Sequence, residues 1–197
     1  MKQSFGPAAI MVAAIALPLA ACSNEAPANE AAASSETSAK ASKLLPRSAI
    51  VPLSMVTEYF PGIDTEASVE PNQTSVGNAA ASISVVFTDA AGTKKVTLSV
   101  DEYPTAGDGA AAFATAVAGS KAAPGFKPAP PPNLGEEALA GTSQVGEEQH
   151  FGLGAREGRL IVSATHAGGI PVTPENSSKL IELGRAELAT AKQAVGP

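Results

Sequence analysis

Residues 82–100 constrain the fold more tightly than any other stretch of the chain. Ile83, Val85 and Phe87 alternate with Ser82, Ser84 and Val86. Asp89-Ala90-Ala91-Gly92 follows, and then Val96, Leu98 and Val100 alternate with Lys95, Thr97 and Ser99. Successive side chains on a strand point to opposite faces, so each run gives a strand with one apolar face, and the Asp-to-Gly segment closes a hairpin between them. Such a hairpin belongs to an antiparallel sheet covered on one side.

Helical spacing supplies the cover. Pro52 and Ser54 lead into Met55, Val56, Tyr59 and Phe60, which share one face of a short helix that Pro61-Gly62 terminates. A weakly alternating edge strand is expected over 65–70, before Pro71-Asn72. Residues 106–123 read as a helix presenting Ala110, Phe113, Ala114 and Val117, stopped by Pro124-Gly125. Residues 124–132 hold five prolines. They must run extended, because proline lacks the backbone donor that a helix or inner strand uses. Such a segment suits either a peptide-like docking arm or a stiff surface connection. A strand near 139–145, a hairpin of 149–155 and 159–165 around Glu157-Gly158, and a final helix complete the chain. In that helix Thr173 caps, Pro174 takes the first position, Glu175 complements the dipole, and Leu180, Gly184, Leu188, Ala191 and Val195 fall near one face.

Hairpin and helix, then strand, hairpin and helix again, predict an α+β domain: one antiparallel sheet with helices packed on one face, a two-layer sandwich. The second reading is an α/β/α sandwich resembling PsbP-like domains, with the first helix on the opposite sheet face. Leu134-Gly135-Glu136-Glu137-Ala138 resembles an "LGDEA"-type element of bacterial lipoprotein and sensor-like domains, which supports the architecture and implies no reaction.

The start of the chain addresses location. Lys2 is the only charge before a run of about 15 mostly apolar residues ending at Ala21, shorter than the roughly 20 needed to cross a bilayer and interrupted by Pro18. Residues 1–21 therefore read as a signal peptide. Leu19-Ala20-Ala21-Cys22 resembles the lipobox of bacterial lipoproteins, which implies lipid attachment at Cys22 and acylation of the new N-terminus. Several acyl chains are needed because one chain, at about 0.8 kcal/mol per buried methylene, holds only reversibly. Ser23 stands where, in enteric-type lipoproteins, Asp favours inner-membrane retention. The resemblance thus implies the periplasmic face of the outer membrane in a Gram-negative source. Cys22 is the sole cysteine, so no internal disulfide forms.

Residues 22–43 read as the lipidated cysteine and a flexible tether of Ala, Ser, Glu, Asn and Thr, with an average reach of roughly 25 Å. Residues 44–197 are the size of one soluble domain. The whole chain carries 13 basic and 19 acidic residues, net −6, without a basic cluster. Nucleic acid is thereby disfavoured as a partner, and the acyl anchor on Cys22, rather than an acidic protein surface, is expected to hold the membrane.

Chemistry is sparse. No G-x-S-x-G nucleophile turn is present, and His150 and His166, the only histidines, read as exposed or hydrogen-bonded strand residues. The glycines of 152–158 imitate a nucleotide fingerprint, but the third comes one residue late and a strand follows. Glu147, Glu148 and His150 match no metal-ligand spacing. The pairs Glu136/Glu137 and Glu147/Glu148 place adjacent carboxylates on opposite strand faces, which does not suit a glycosidase. No enzyme, no cofactor and no metal are expected. The expected role is a non-catalytic interaction module for an envelope protein or polymer partner. The alternative is a small-ligand carrier or sensor, with an apolar pocket between sheet and helices lined by Phe87, Phe113 and Phe151.

Overall fold

A computed structural model describes residues 43–195. The signal peptide, Cys22 and nearly all of the expected tether lie outside the described residues. In chain order the elements are β1 (Lys43–Leu44), a 3-10 turn (Arg47–Ala49), α1 (Leu53–Tyr59), β2 (Thr65–Glu70), β3 (Ala81–Thr88), β4 (Lys94–Glu102), α2 (Ala106–Ala122), β5 (Lys127–Pro128), β6 (Glu137–Val145), β7 (Glu148–Glu157), β8 (Leu160–Gly168) and α3 (Pro174–Val195).

The eight strands form one sheet, ordered β1-β3-β4-β8-β7-β6-β5, with β2 also pairing β3. Every pairing is antiparallel except the short β1–β3 contact. The two halves meet where β4 pairs β8 along nine residues, Lys94 opposite Gly168 through Glu102 opposite Leu160. The expected α+β class, with helices packed on an antiparallel sheet, is what the chain adopts.

The helices take both faces. Ile83, Val85, Phe87, Val96, Leu98, Val100, Phe151, Leu153, Val162 and Ala164 point to one face, where α1, the 3-10 turn and α3 cover them. Ile161, next to Val162 and so on the other face, packs with Ala112 and Phe113 of α2 and with Tyr103 and Ala79. The arrangement is therefore α/β/α, with α2 rather than the first helix on the second face. The cause is visible in the strands: β3 is buried on both faces, Ser82 and Val86 included, so a single covering layer would leave apolar surface wet. The repeat of hairpin and helix is an echo of strand order alone. A two-fold exchanging β4 and β8 would put α2 and α3 on the same face.

The buried stripe of α2 is Gly109, Ala112, Phe113 and Ser120, while Ala114, expected in the stripe, is exposed. Gly109 sets this rotation, since a Cβ there would sit 3.0 Å from the Gly158 carbonyl oxygen. The five-proline segment is a surface connection with a job. Its Lys127-Pro128 pairs with β6, Ala129 N–H donates to the Ala140 carbonyl, and the Phe126 ring occupies the space a Cβ at Gly141 would fill. Proline thus blocks further pairing along the middle of this sheet edge, at Ala140 to Thr142.

Register fixes two poles. Lys43, the start of β3, the end of β4, the β7–β8 turn and the end of α3 gather at one; Lys43, Leu44, Ala81, Glu102, Ala194 and Val195 line a common surface hollow there. The β3–β4 turn, the β6–β7 turn, the end of α1 and the start of α3 gather at the other.

Candidate functional site

A small cleft opens at the pole away from Lys43. Its walls are Tyr59, Phe60 and Pro61 at the end of α1, Lys94 at the start of β4, Gly169-Ile170-Pro171 in the β8–α3 connection, and Asn176 and Lys179 on α3; its volume is about 110 Å³. Local chemistry holds these segments together. Gly62 takes φ 92° to turn the chain out of α1, and Lys94 Nζ donates to the Pro61 carbonyl at 3.3 Å. Gly168, at φ 70°, brings its backbone against the Thr93 carbonyl, and Gly169 N–H donates to that same oxygen at 2.7 Å. Thr173 Oγ1 accepts the Asn176 N–H at 3.2 Å, and the Asn176 amide donates to the Pro171 carbonyl at 2.9 Å. Lys179 Nζ lies 2.6 Å from Glu175 Oε1.

Directly behind Phe60 lies His166. It is 0% exposed, with ring centroids 5.8 Å from Phe60 and 6.0 Å from Phe151. Neither ring nitrogen has a hydrogen-bond partner among the described residues. Burial lowers its pKa to about 4, the neighbouring His150 imidazole acts in the same direction, and the nearby Ile170 carbonyl, outside hydrogen-bond geometry, opposes it. The ring is neutral at physiological pH, and the reading of His166 as exposed or hydrogen-bonded is corrected. The correction follows from register, since His166 shares the inward face with Val162 and Ala164.

Two other buried acids organise the fold. Glu187 on α3 is 0% exposed and accepts the Val51 N–H at 3.0 Å, pinning the segment after the 3-10 turn to the helix. Burial pushes its pKa up to about 8, against the Val51 hydrogen bond and the pull of Arg47. Asp101 on β4 accepts from Asn72 Nδ2 at 2.9 and 3.1 Å and from Ser75 Oγ. It holds residues 71–80 over the second sheet face, where Tyr103 donates to the Val76 carbonyl at 2.7 Å. Burial raises Asp101 to about 6, with the Ser75 and Asn72 hydrogen bonds opposing.

The remaining expected residues are accounted for individually. Phe87 and Phe151 are buried on the α3 face and Phe113 on the α2 face, so they line no common pocket. The interior beside them is filled, and a Cβ at Gly184 would meet Leu153 Cδ1 at 2.9 Å. His150 is half-buried, with its Nε2 3.5 Å from Glu148 and without a hydrogen-bond partner among the described residues, so its reading as exposed or hydrogen-bonded is corrected as well. Glu136 and Glu137, expected on opposite strand faces, instead both pair with Arg156, at 2.7 and 2.9 Å, because Glu136 lies just before β6 begins. The "LGDEA"-type element is thus a structural corner. Leu134 is buried, Gly135 has φ 62° with its backbone against the Arg156 carbonyl, and Glu136 N–H donates to that carbonyl at 2.8 Å. The glycines of 152–158 lie within β7 and its turn. No cluster of three or more His, Cys, Asp or Glu suited to a metal occurs among the described residues. None of the described helices is long and apolar enough to cross a membrane.

Sequence reading missed the cleft and both buried acids. Lys94, Asn176 and Lys179 are ordinary surface types, brought together only by the packing of α1, β4 and α3. Glu187 carried a legible signal, because it lies on the Leu180–Leu188–Ala191 stripe.

A scan against protein-family models and a search of curated proteins returned no match. Among solved structures, the chain is similar to the extracellular domain of PknH from Mycobacterium tuberculosis, at 11% identity and a TM-score of 0.47, over 72% of this chain and 93% of that one. Nothing about ligand, partner or location transfers at that distance.

Proposed function

We propose that the protein is a lipid-anchored envelope module that binds rather than catalyses, tethered through Cys22 to the periplasmic face of an outer membrane and presenting the cleft outward. The observation that carries this reading is polarity. Lys43, the residue through which the leader side of the chain joins the fold, lies at the pole opposite the cleft. An anchor preceding Lys43 would keep its own pole toward the bilayer and turn the Tyr59–Lys94–Lys179 cleft away from it. The lipobox-like Leu19-Ala20-Ala21-Cys22 and Ser23 supply the rest of the placement. Binding is favoured over catalysis because neither histidine is among the residues lining the cleft, His166 being enclosed in aromatic packing. A small-ligand role remains compatible with the cleft, though not with an internal apolar pocket lined by the three phenylalanines.

Fractionating cells that express the full chain or its Cys22→Ala variant tests the placement. The reading expects the wild type in the outer-membrane fraction, with an intact mass showing an acylated N-terminus at Cys22, and the variant in the soluble periplasm or uncleaved. A wild-type chain without acylation, or distributed like the variant, contradicts it.

A further inference from the structure

We propose that the cleft between the end of α1 and the start of α3 binds a compact oxyanion, a carboxylate or phosphate group carried by a small molecule or by the end of a larger one. The proposal deepens the binding role above and rests on it only for the outward orientation of the cleft.

Size sets the first limit. About 110 Å³ is room for a few waters, at roughly 30 Å³ each, and falls well short of the 300–1,000 Å³ typical of drug-sized ligands. Charge sets the second. The chain is acidic overall, net −6, yet the cleft is walled by two lysines against one carboxylate at its rim, Glu175 on Lys179. Lys94 spends one of its three donors on the Pro61 carbonyl and Lys179 one on the largely exposed Glu175, so each ammonium keeps donors to offer.

Three backbone carbonyls that would repel an anion are already occupied, and the one carboxylate at the rim, Glu175, is exposed and paired with Lys179. The Pro61 carbonyl takes Lys94, the Pro171 carbonyl takes Asn176, and the Thr93 carbonyl takes Gly169 N–H. The first-turn amides of Asn176 and Ser177 are capped by Thr173, but the 22-residue α3 still directs the positive end of its dipole to this pole. Phe60, Pro61, Ile170 and Pro171 give the cleft apolar walls, where a charge-assisted hydrogen bond is worth more than in open water. Beneath Phe60, the unpartnered ring of His166 provides a reporter one layer from the ligand.

Calorimetry and NMR on the full chain purified from membranes in mild detergent, titrated with inorganic phosphate and separately with acetate, test this directly. The proposal expects saturable binding of at least one of them, with amide shifts confined to Lys94, Gly169, Ile170, Asn176 and the His166 ring. Lys94→Gln or Lys179→Gln should each weaken binding at least fivefold, while Lys192→Gln at the opposite pole leaves it unchanged. If a variant loses its fold, the shift map of the wild type still locates the site. Glycerol 3-phosphate, the water-soluble headgroup fragment, separates the sources without a bilayer into which the acyl anchor would insert. Tighter binding of glycerol 3-phosphate than of inorganic phosphate supports a lipid headgroup, and equal or weaker binding supports a free oxyanion. No saturable binding of any probe, or binding indifferent to both lysines with shifts elsewhere, overturns the proposal. That failure would leave Cys22 anchoring, measured by mass and fractionation, untouched.

Discussion

Glu187 sits inside an otherwise apolar helix stripe with one oxygen on the Val51 N–H and the other without a partner among the described residues. Because its pKa is raised from 4.5 to about 8, the folded chain holds a proton there that the unfolded chain has released. Stability contributed by that protonated state is full below pH 4.5 and is lost as pH rises toward 8. Asp101 acts with the same sign between 3.8 and about 6. His166 acts with the opposite sign between about 4 and 6.5, where the unfolded chain binds the extra proton. Above pH 6.5 Glu187 therefore acts alone among the three. Urea unfolding between pH 6.5 and 8 should show stability falling by up to about 1.4 kcal/mol per pH unit, and Glu187→Gln should flatten that slope. Gly135→Ala is expected to cost at least about 2 kcal/mol, since φ 62° and the adjacent Arg156 carbonyl leave no room for a Cβ; thermal unfolding measures it. The Glu187 carboxyl was legible as a position on a stripe. Its burial was not, because it depends on the 3-10 turn folding back across α3.

At the scale of elements, alternation and turn residues placed β2, β3, β4, β6, β7 and β8 close to their observed bounds, since period-two patterning is a local property. Which face each helix covers is not local. Ile161 and Val86 interrupt the expected polar face, and that interruption was the available sign of the second layer formed by α2. The five prolines excluded helix and inner strand correctly, while the pairing of Lys127-Pro128 with β6 depends on where α2 delivers the chain. Residues 71–80 are held over the second face chiefly through Asn72, Ser75 and Asp101. Asp101→Asn is expected to loosen this segment ahead of the core, because its amide nitrogen offers a donor where an acceptor is needed. Hydrogen exchange should then speed over 72–80 by at least tenfold, with β3 and β4 little changed.

For the whole molecule, strands of nine or ten residues separate the two poles by roughly 30 Å, comparable to the reach of roughly 25 Å expected for a tether of this length and composition. The anchor is an expectation read from the leader, which lies outside the described residues. The cleft was not legible, because its five polar and aromatic residues come from three separate stretches that only the finished sheet and helices assemble. In the proposed arrangement Cys22 holds the Lys43 pole toward a membrane and leaves the cleft pole facing away. Cys22 is the sole cysteine, and lipidation would consume its thiol, so a single introduced cysteine could be labelled uniquely in the acylated protein. We would place a fluorophore at Ala91→Cys, in the β3–β4 turn, or at Gln193→Cys, near the end of α3, and measure quenching by headgroup-labelled lipid in reconstituted vesicles. The account expects markedly stronger quenching at position 193 than at position 91. Equal quenching, or the reverse order, would contradict it.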